Sequence, residues 1–422
     1  MAVRSGVRVL ARPGHPDFLD LPWGASLATW QDQRLTEVVR GVHRHVVRFV
    51  DYDGSLYALK ELPTRLAERE YRILRKMAEE GLPVVEAVGV VSRGRALEDV
   101  LITRFLDYSL PYRALFTHRR NPSVAVSDLF ERLLDALAML LVRVHLAGFF
   151  WGDCSLSNTL FRRDAGALAA YIVDMETGEW HPQLTDGQRC ADLEVTELNV
   201  AGGLMDVQAQ LGLPPEPDPL ETAEDLRRRY DRLWAELTTE VTFNPDERYK
   251  VAARVRRLND LGFDVDELSY VPTDEGDLMV LKTAVTEAGH HRRRLLSLTG
   301  LDAQENQARA LLNDLADFRA HLEQVEGRPA PESVAAFRWL SEVFEPTVQA
   351  IPEELRAKLE AAEVFYEVIQ HKWYLSEAAG EDVGVRDAVG DYVHSVLPSA
   401  PDERTVLDEP DEQLTEGWIG FG

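Results

Sequence analysis

A two-residue break, Asp53-Gly54, limits the folds open to this chain more than any other feature, because it parts two runs of alternating apolar and polar residues, Val46–Tyr52 and Ser55–Leu62. Asp-Gly accepts the positive φ angles of a tight hairpin, so the two runs should pair antiparallel. A preceding run, Leu35–Val39, supplies a third strand. From Arg65 to Glu80 the period changes: Leu66, Ile73, Leu74 and Met77 recur at helical spacing, and Gly81 with Pro83 ends the helix. Val84–Val91 and Asp99–Phe105, separated at Arg93-Gly94, read as two further strands. Five strands and one helix predict a small α+β lobe over 35–105, with 1–34 as an N-terminal extension.

The remainder is mostly helical. Ser127–Ala147 forms a long apolar helix, interrupted by Asp135, Arg143 and His145 and therefore a buried helix rather than a membrane span. A polar loop, Gly148–Ser157, and a strand pair, Thr159–Arg162 with Ala170–Val173, complete a large lobe over 106–212. The Pro-rich acidic stretch 213–221, "LPPEPDPLE", reads as a linker. Beyond it, 222–397 reads as an α-rich domain, with helices at Thr222–Thr239, Pro245–Leu261, Gln304–Gln324, Pro331–Gln349 and Pro352–Ala378. A hairpin is expected from Glu267–Val271 and Asp277–Val285. The acidic tail 398–422 is expected to be disordered.

Charge narrows the ligands. Lys and Arg number 46 against 72 Asp and Glu, a net charge of −26 that repels nucleic acid and anionic membrane. An anionic ligand must then be gathered by placed cations, backbone amides or a divalent metal. Two cysteines, Cys154 and Cys190, are too few for a disulfide framework and fit a reducing compartment, so the protein is expected in the cytoplasm.

Against this background a set of polar residues stands in a fixed order: Lys60 at the end of the strand "YALK", Glu70 in the next helix, Asp153 and Asn158 in "GDCSLSN", and Asp174 in "YIVDME". Each alone is commonplace. Phosphoryl transfer from a nucleotide needs a cation on the phosphates, an acid to hold that cation, an orienter for the acceptor hydroxyl and oxygen ligands for magnesium. The ordered set fills those roles.

These motifs resemble the protein-kinase superfamily in its lipopolysaccharide kinase (Kdo/WaaP)-like and aminoglycoside-phosphotransferase-like branches, over about 35–210. The resemblance implies a bilobal α+β fold, and ATP and Mg2+ as cofactors. It makes Glu70 the partner of Lys60, with Glu68 as runner-up. "LITRFLDYSL" resembles the hinge that holds adenine, at Arg104, Phe105 and Leu106. "HLAGFFWGDCSLSNTLF" resembles the catalytic loop, with Asp153 orienting the acceptor hydroxyl and Asn158 on metal. Asp174 is then the principal metal ligand, assisted by Glu176, and "RCADLEVTEL" resembles the helix that anchors the loop from below through Asp192. No G-x-G-x-x-G occurs, so Gly41, His43, Arg44 and His45 of "VRGVHRHVV" would cover the phosphates. Ser155 stands where protein kinases usually carry lysine, which favours small-molecule or saccharide acceptors over protein. The C-terminal region resembles a domain of unknown function found in actinobacterial proteins and implies no substrate.

The reading is thus an ATP/Mg-dependent phosphotransferase whose partners are a nucleotide and an unidentified hydroxyl acceptor. The alternative is a pseudokinase-like nucleotide-binding module without turnover; nucleotidyl transfer to protein also stays open. His145, Trp151 and Cys154 read as core residues, as do Phe365, Ile369, Trp373 and Leu375–Ala378. A basic island, His290–Arg294, is either a face neutralised by neighbouring acids or a dock for a phosphate-bearing ligand.

Overall fold

The computed structural model describes residues 6–36, 38, 45–94, 97–117, 126–212, 217–239, 241–243, 248–260, 262–265, 279–281, 285–400 and 403–404. The Asp53-Gly54 turn forms as expected: both residues have positive φ (52° and 80°), and Gly54 N donates to Asp51 Oδ1 at 3.0 Å. The small-lobe sheet has six antiparallel strands rather than five. In spatial order they are β1 (Arg8–Ala11), β5 (Ala87–Ser92), β6 (Asp99–Arg104), β4 (Ser55–Leu62), β3 (Val47–Tyr52) and β2 (Leu35–Thr36). The additional strand, β1, is too short for its alternation to identify it without the neighbour it pairs with.

Alternation along β4 turns Tyr57, Leu59 and Glu61 to one face and Ala58, Lys60 and Leu62 to the other. Residues 6–34, expected as an extension, cover the first face: Phe18, Leu21, Trp23, Leu27 and Trp30 pack against Val50, Leu59, Val100 and Ile102. Glu61 is buried there. It pairs with the fully buried side chain of Arg93 at 2.7 Å and accepts from Ser26 Oγ and Leu27 N. Against the other face lies α1 (Thr64–Glu79), burying Ala67, Glu70, Tyr71, Ile73, Leu74 and Met77 at helical spacing.

The large lobe follows through β7 (Ser109–Pro111), α2 (Tyr112–Thr117), α3 (Val126–Leu146), β8 (Phe149–Phe150), β9 (Thr159–Asp164), β10 (Ala167–Ile172), β11 (Glu179–Trp180) and α4 (Asp186–Leu211). The stretch expected as a linker runs into a helix, because Asp218 caps α5 (Pro219–Thr238) and Pro219 suits its first turn. Ala223, Leu226, Tyr230 and Leu237 of α5 share a core with Leu137 and Leu141 of α3.

Around α6 (Arg248–Asp260), the second arm of the expected hairpin pairs with other strands: β14 (Met279–Leu281) with β12 (Val241–Phe243), and β15 (Val285–Ala288) with β13 (Phe263–Val265). Glu267–Val271 lies outside the described residues. Helices then dominate: α7 (His290–Thr299), α8 (Glu305–Glu326), α9 (Glu332–Trp339), α10 (Glu345–Gln349), α11 (Ala361–Ala379) and α12 (Val385–Ser395). The helix expected over 331–349 contains a π-helical turn at Leu340–Phe344, and the one expected from Pro352 starts only at Ala361. Phe365 is core, whereas Trp373 is 57% exposed, so the apolar stripe expected along α11 stops short of it. Among the described residues no helix is long and apolar enough to cross a membrane.

The C-terminal region grips the tip of the β9–β10 hairpin. Asp164 accepts from Gln307 N (2.8 Å) and Asn306 Nδ2 (2.9 Å), while Glu363 accepts from Ala165 N (2.9 Å) and Gln307 Nε2 (2.7 Å). Glu360 pairs with Arg162, and buried Glu403 with Arg163, each at 2.7 Å. The last pair corrects the expectation of disorder from Pro398 onward, since Glu403 gains an ion pair and burial by docking; residues 405–422 lie outside the described ones.

Glu61→Ala, which strands a buried guanidinium, should lower the unfolding free energy by about 3–5 kcal/mol in urea titrations. Burial pushes Glu363 up to about 7 from its ordinary 4.5, so folding favours its protonated form. Its contribution to stability is complete below about pH 4.5 and is lost as pH rises through 7. Glu363→Gln keeps both accepted hydrogen bonds and should flatten that decline in urea midpoints measured from pH 5 to 8.

Candidate active site

The site is assembled from both lobes. Because β4 turns Lys60 inward and α1 buries Glu70 (1% exposed), Lys60 Nζ lies 3.3 Å from Glu70 Oε2. It also lies 2.8 Å from Asp174 Oδ2 and 3.5 Å from Glu176 Oε1. Glu68, the runner-up, is instead half exposed near Arg8. Three carboxylates thus crowd one ammonium. Burial pushes Glu70 up to about 8, with Lys60 pulling the other way. Burial also disfavours the Lys60 ammonium, but Glu70 and Asp174 outweigh it and hold its pKa above the ordinary value.

The catalytic-loop residues face the same cavity, of about 400 Å³, lined by His45, Lys60, Asp153, Asn158, Asp174, Glu176, Asn199 and Asp206, among others. Asn158 Nδ2 donates to Asp153 O at 3.0 Å and Oδ2 at 3.2 Å, and no donor among the described residues reaches its side-chain carbonyl oxygen. Asp192 carries the loop from beneath. Fully buried, it accepts from Trp151 N at 2.7 Å and Gly152 N at 2.8 Å, and contacts His145 Nε2 at 3.1 Å. His145 Nδ1 in turn meets Tyr230 OH at 2.8 Å. Trp151, fully buried, donates from Nε1 to Asp174 O at 3.0 Å, so the Asp153 loop and the Asp174 segment are tied together. Burial raises the Cys154 thiol well above its ordinary pKa, consistent with packing rather than nucleophilicity.

Asn199 was not singled out by sequence, yet its Nδ2 holds Asp153 Oδ1 at 3.1 Å and Cys154 O at 3.1 Å. The available signal was spacing: Asn199 lies two turns beyond Asp192 and shares its face of α4. Arg69 was also missed; it donates to Glu176 O at 2.6 Å and Gly178 O at 2.7 Å.

Other expected residues lie elsewhere. Gly41, His43 and Arg44 fall outside the described residues. His45 Nε2 lies 2.7 Å from Glu176 Oε1, but neither it nor Lys60 is aligned to hydrogen-bond that buried oxygen. Arg104, Phe105 and Leu106 line a different, larger cavity; Phe105 N already donates to Leu56 O at 2.9 Å, and its ring packs edge-on to Phe49. The basic island is largely neutralised by neighbours: His291 meets Glu305 at 2.7 Å, Arg292 meets Asp302 at 2.6 Å and Arg294 meets Glu332 at 2.8 Å.

A two-lobed α+β fold in which a strand lysine and a helix glutamate meet two separated catalytic segments defines a protein-kinase-like domain. Residues 34–199 match the model of the lipopolysaccharide kinase (Kdo/WaaP) family, and residues 232–397 match that of a domain of unknown function, DUF4032. Among solved structures the chain is similar to WaaP in complex with acyl carrier protein, at 18% identity and a TM-score of 0.37, over 60% of this chain and 99% of that one. No curated protein matches it.

Asp192→Ala leaves two buried amides and an imidazole without their acceptor, and should cost about 3 kcal/mol or more in urea unfolding.

Proposed function

We propose that the chain is an ATP- and magnesium-dependent phosphotransferase acting on the hydroxyl of a small molecule or saccharide. One observation carries the reading: residues separated by more than a hundred positions, Lys60 and Asp174, meet at 2.8 Å in a cavity that Asp153 and Asn158 also line.

The donor set suits a hard cation. Asp174, Glu176 and the Asn158 carbonyl offer oxygens of the kind magnesium takes, and Glu70, Asp174 and Glu176 place oxygens within 4.8 Å of one another. Glu176 Oε1 is buried without a hydrogen bond, an oxygen with unused lone pairs on the cavity wall. Asp153, Asp174, Glu176 and Asp206 outnumber Lys60 and His45 there, so a bare triphosphate is repelled and a metal-complexed one is not. Asn158, Asp174 and Glu176 would hold the metal, which when bound would neutralise phosphate oxygens.

The chain's own residues supply the rest. Lys60 places a positive charge for the α/β-phosphates, and Glu70 fixes its direction. Asp153, pinned by Asn158 and Asn199, presents a carboxylate to orient the acceptor hydroxyl and take its proton. The missing glycine-rich motif favours the second reading, a nucleotide-binding module without turnover.

Thermal stabilisation by ATP should require magnesium and should vanish in Lys60→Met. Asp153→Asn should keep that stabilisation while losing about 10²–10⁴-fold in phosphoryl transfer, measured as ATP consumption against a panel of sugars and aminoglycosides. Stabilisation without consumption for any acceptor selects the module.

A further inference from the structure

A second cavity, about 1550 Å³, lies where α3, the β9–β10 hairpin and the segment Arg104–Tyr108 meet α7 and α8 of the C-terminal region. Two of its arginines are anomalous. Arg143, from α3, donates to Gly81 O at 3.0 Å but pairs with no carboxylate among the described residues, and its Nε is buried without a hydrogen bond there. Arg162, from β9, uses one terminal nitrogen on Glu360, and its Nε is likewise buried and unsatisfied. Buried donors left unpaired are costly, and an absent ion is one of the few physical reasons to retain them.

The charges around Arg143 deepen the anomaly. Burial pushes its pKa down, and Arg292 and Arg293 push it further, while Tyr171 and Glu305 oppose them. The acids on this part of the wall are already engaged: Asp302 by Arg292, Glu305 by His291 and the amides of residues 291 and 292, Asp164 by Asn306 and Gln307, and Glu360 by Arg162. Among the described residues, the Arg143 guanidinium thus sits beside Arg292 and Arg293 with no ion pair of its own, in a space large enough for a small molecule.

We propose that this cavity is a binding site for a phosphate-bearing small molecule, held by Arg143 with Arg292 and Arg293 across the boundary between kinase-like and C-terminal regions. A phosphate oxygen accepts the bidentate and side-on hydrogen bonds that guanidinium groups offer, and its charge compensates Arg143. The assignment stands independently of the catalytic reading, since it uses none of that site's residues.

The test uses the full chain carrying Lys60→Met, which impairs the nucleotide pocket, in a calorimetric and thermal-shift series with inorganic phosphate, glycerol phosphate and glucose 6-phosphate against sodium chloride at matched ionic strength. Saturable stabilisation by phosphate compounds is expected, stronger for an ester than for the free ion if the rest of the cavity contributes. Arg143→Met, by removing a charge set among other arginines, should leave the apo melting temperature equal or higher while reducing affinity at least 10-fold. Arg293→Ala, a milder change on a different element, should weaken binding in the same direction. Absence of a phosphate-specific shift, or a shift that persists unchanged in both arginine variants, overturns the proposal.

Discussion

The small lobe and the catalytic pocket depend on one ammonium. Lys60 is the cation shared by Glu70, Asp174 and Glu176, and without it three carboxylates on the same wall would repel one another in a poorly solvated space. That geometry needs the sheet, because only strand alternation delivers Lys60 inward while Glu61, its neighbour, turns outward to Arg93. It also needs α1, which buries Glu70 among apolar residues and makes Lys60 its cationic partner among the described residues. On the proposed reading, that excess negative charge would favour a divalent metal ahead of phosphate.

The β9–β10 hairpin connects the two halves of the chain. Asn158 immediately precedes it and Asp174 closely follows it, so both expected metal ligands sit at its base. Its base is pinned to the small lobe, where Val85 N donates to Ile172 O at 3.2 Å and Ile172 N to Pro83 O at 3.0 Å. Its tip is gripped by Gln307, Glu363 and Glu403. A C-terminal region that reads from sequence as a separate domain is therefore mechanically continuous with the hairpin that carries Asn158 and Asp174 at its base. The arginine-lined cavity lies along that same joint.

Much of this was legible in one dimension. The Asp-Gly turn, the helix ending at Gly81 and the order Lys60, Glu70, Asp153, Asn158, Asp174 follow from local rules that hold wherever the segment sits: turn chemistry, period, and the residue types phosphoryl transfer requires. Local rules failed where partners are distant. The strand at Arg8–Ala11 exists through pairing with Ala87–Ser92, and Pro219 reads as a linker residue until Asp218 is seen to cap a helix.

The sequence by itself determined the elements of the small lobe and the chemical identities of the site, because backbone conformation and side-chain chemistry are set by near neighbours. Tertiary structure alone decided that Asn199 holds Asp153, that the basic island is spent largely on nearby acids, and that Arg143 stands beside Arg292 and Arg293 with no ion pair among the described residues. Those are questions of which groups face each other after folding, and electrostatic pairing depends on distance in space, which order along the chain does not encode.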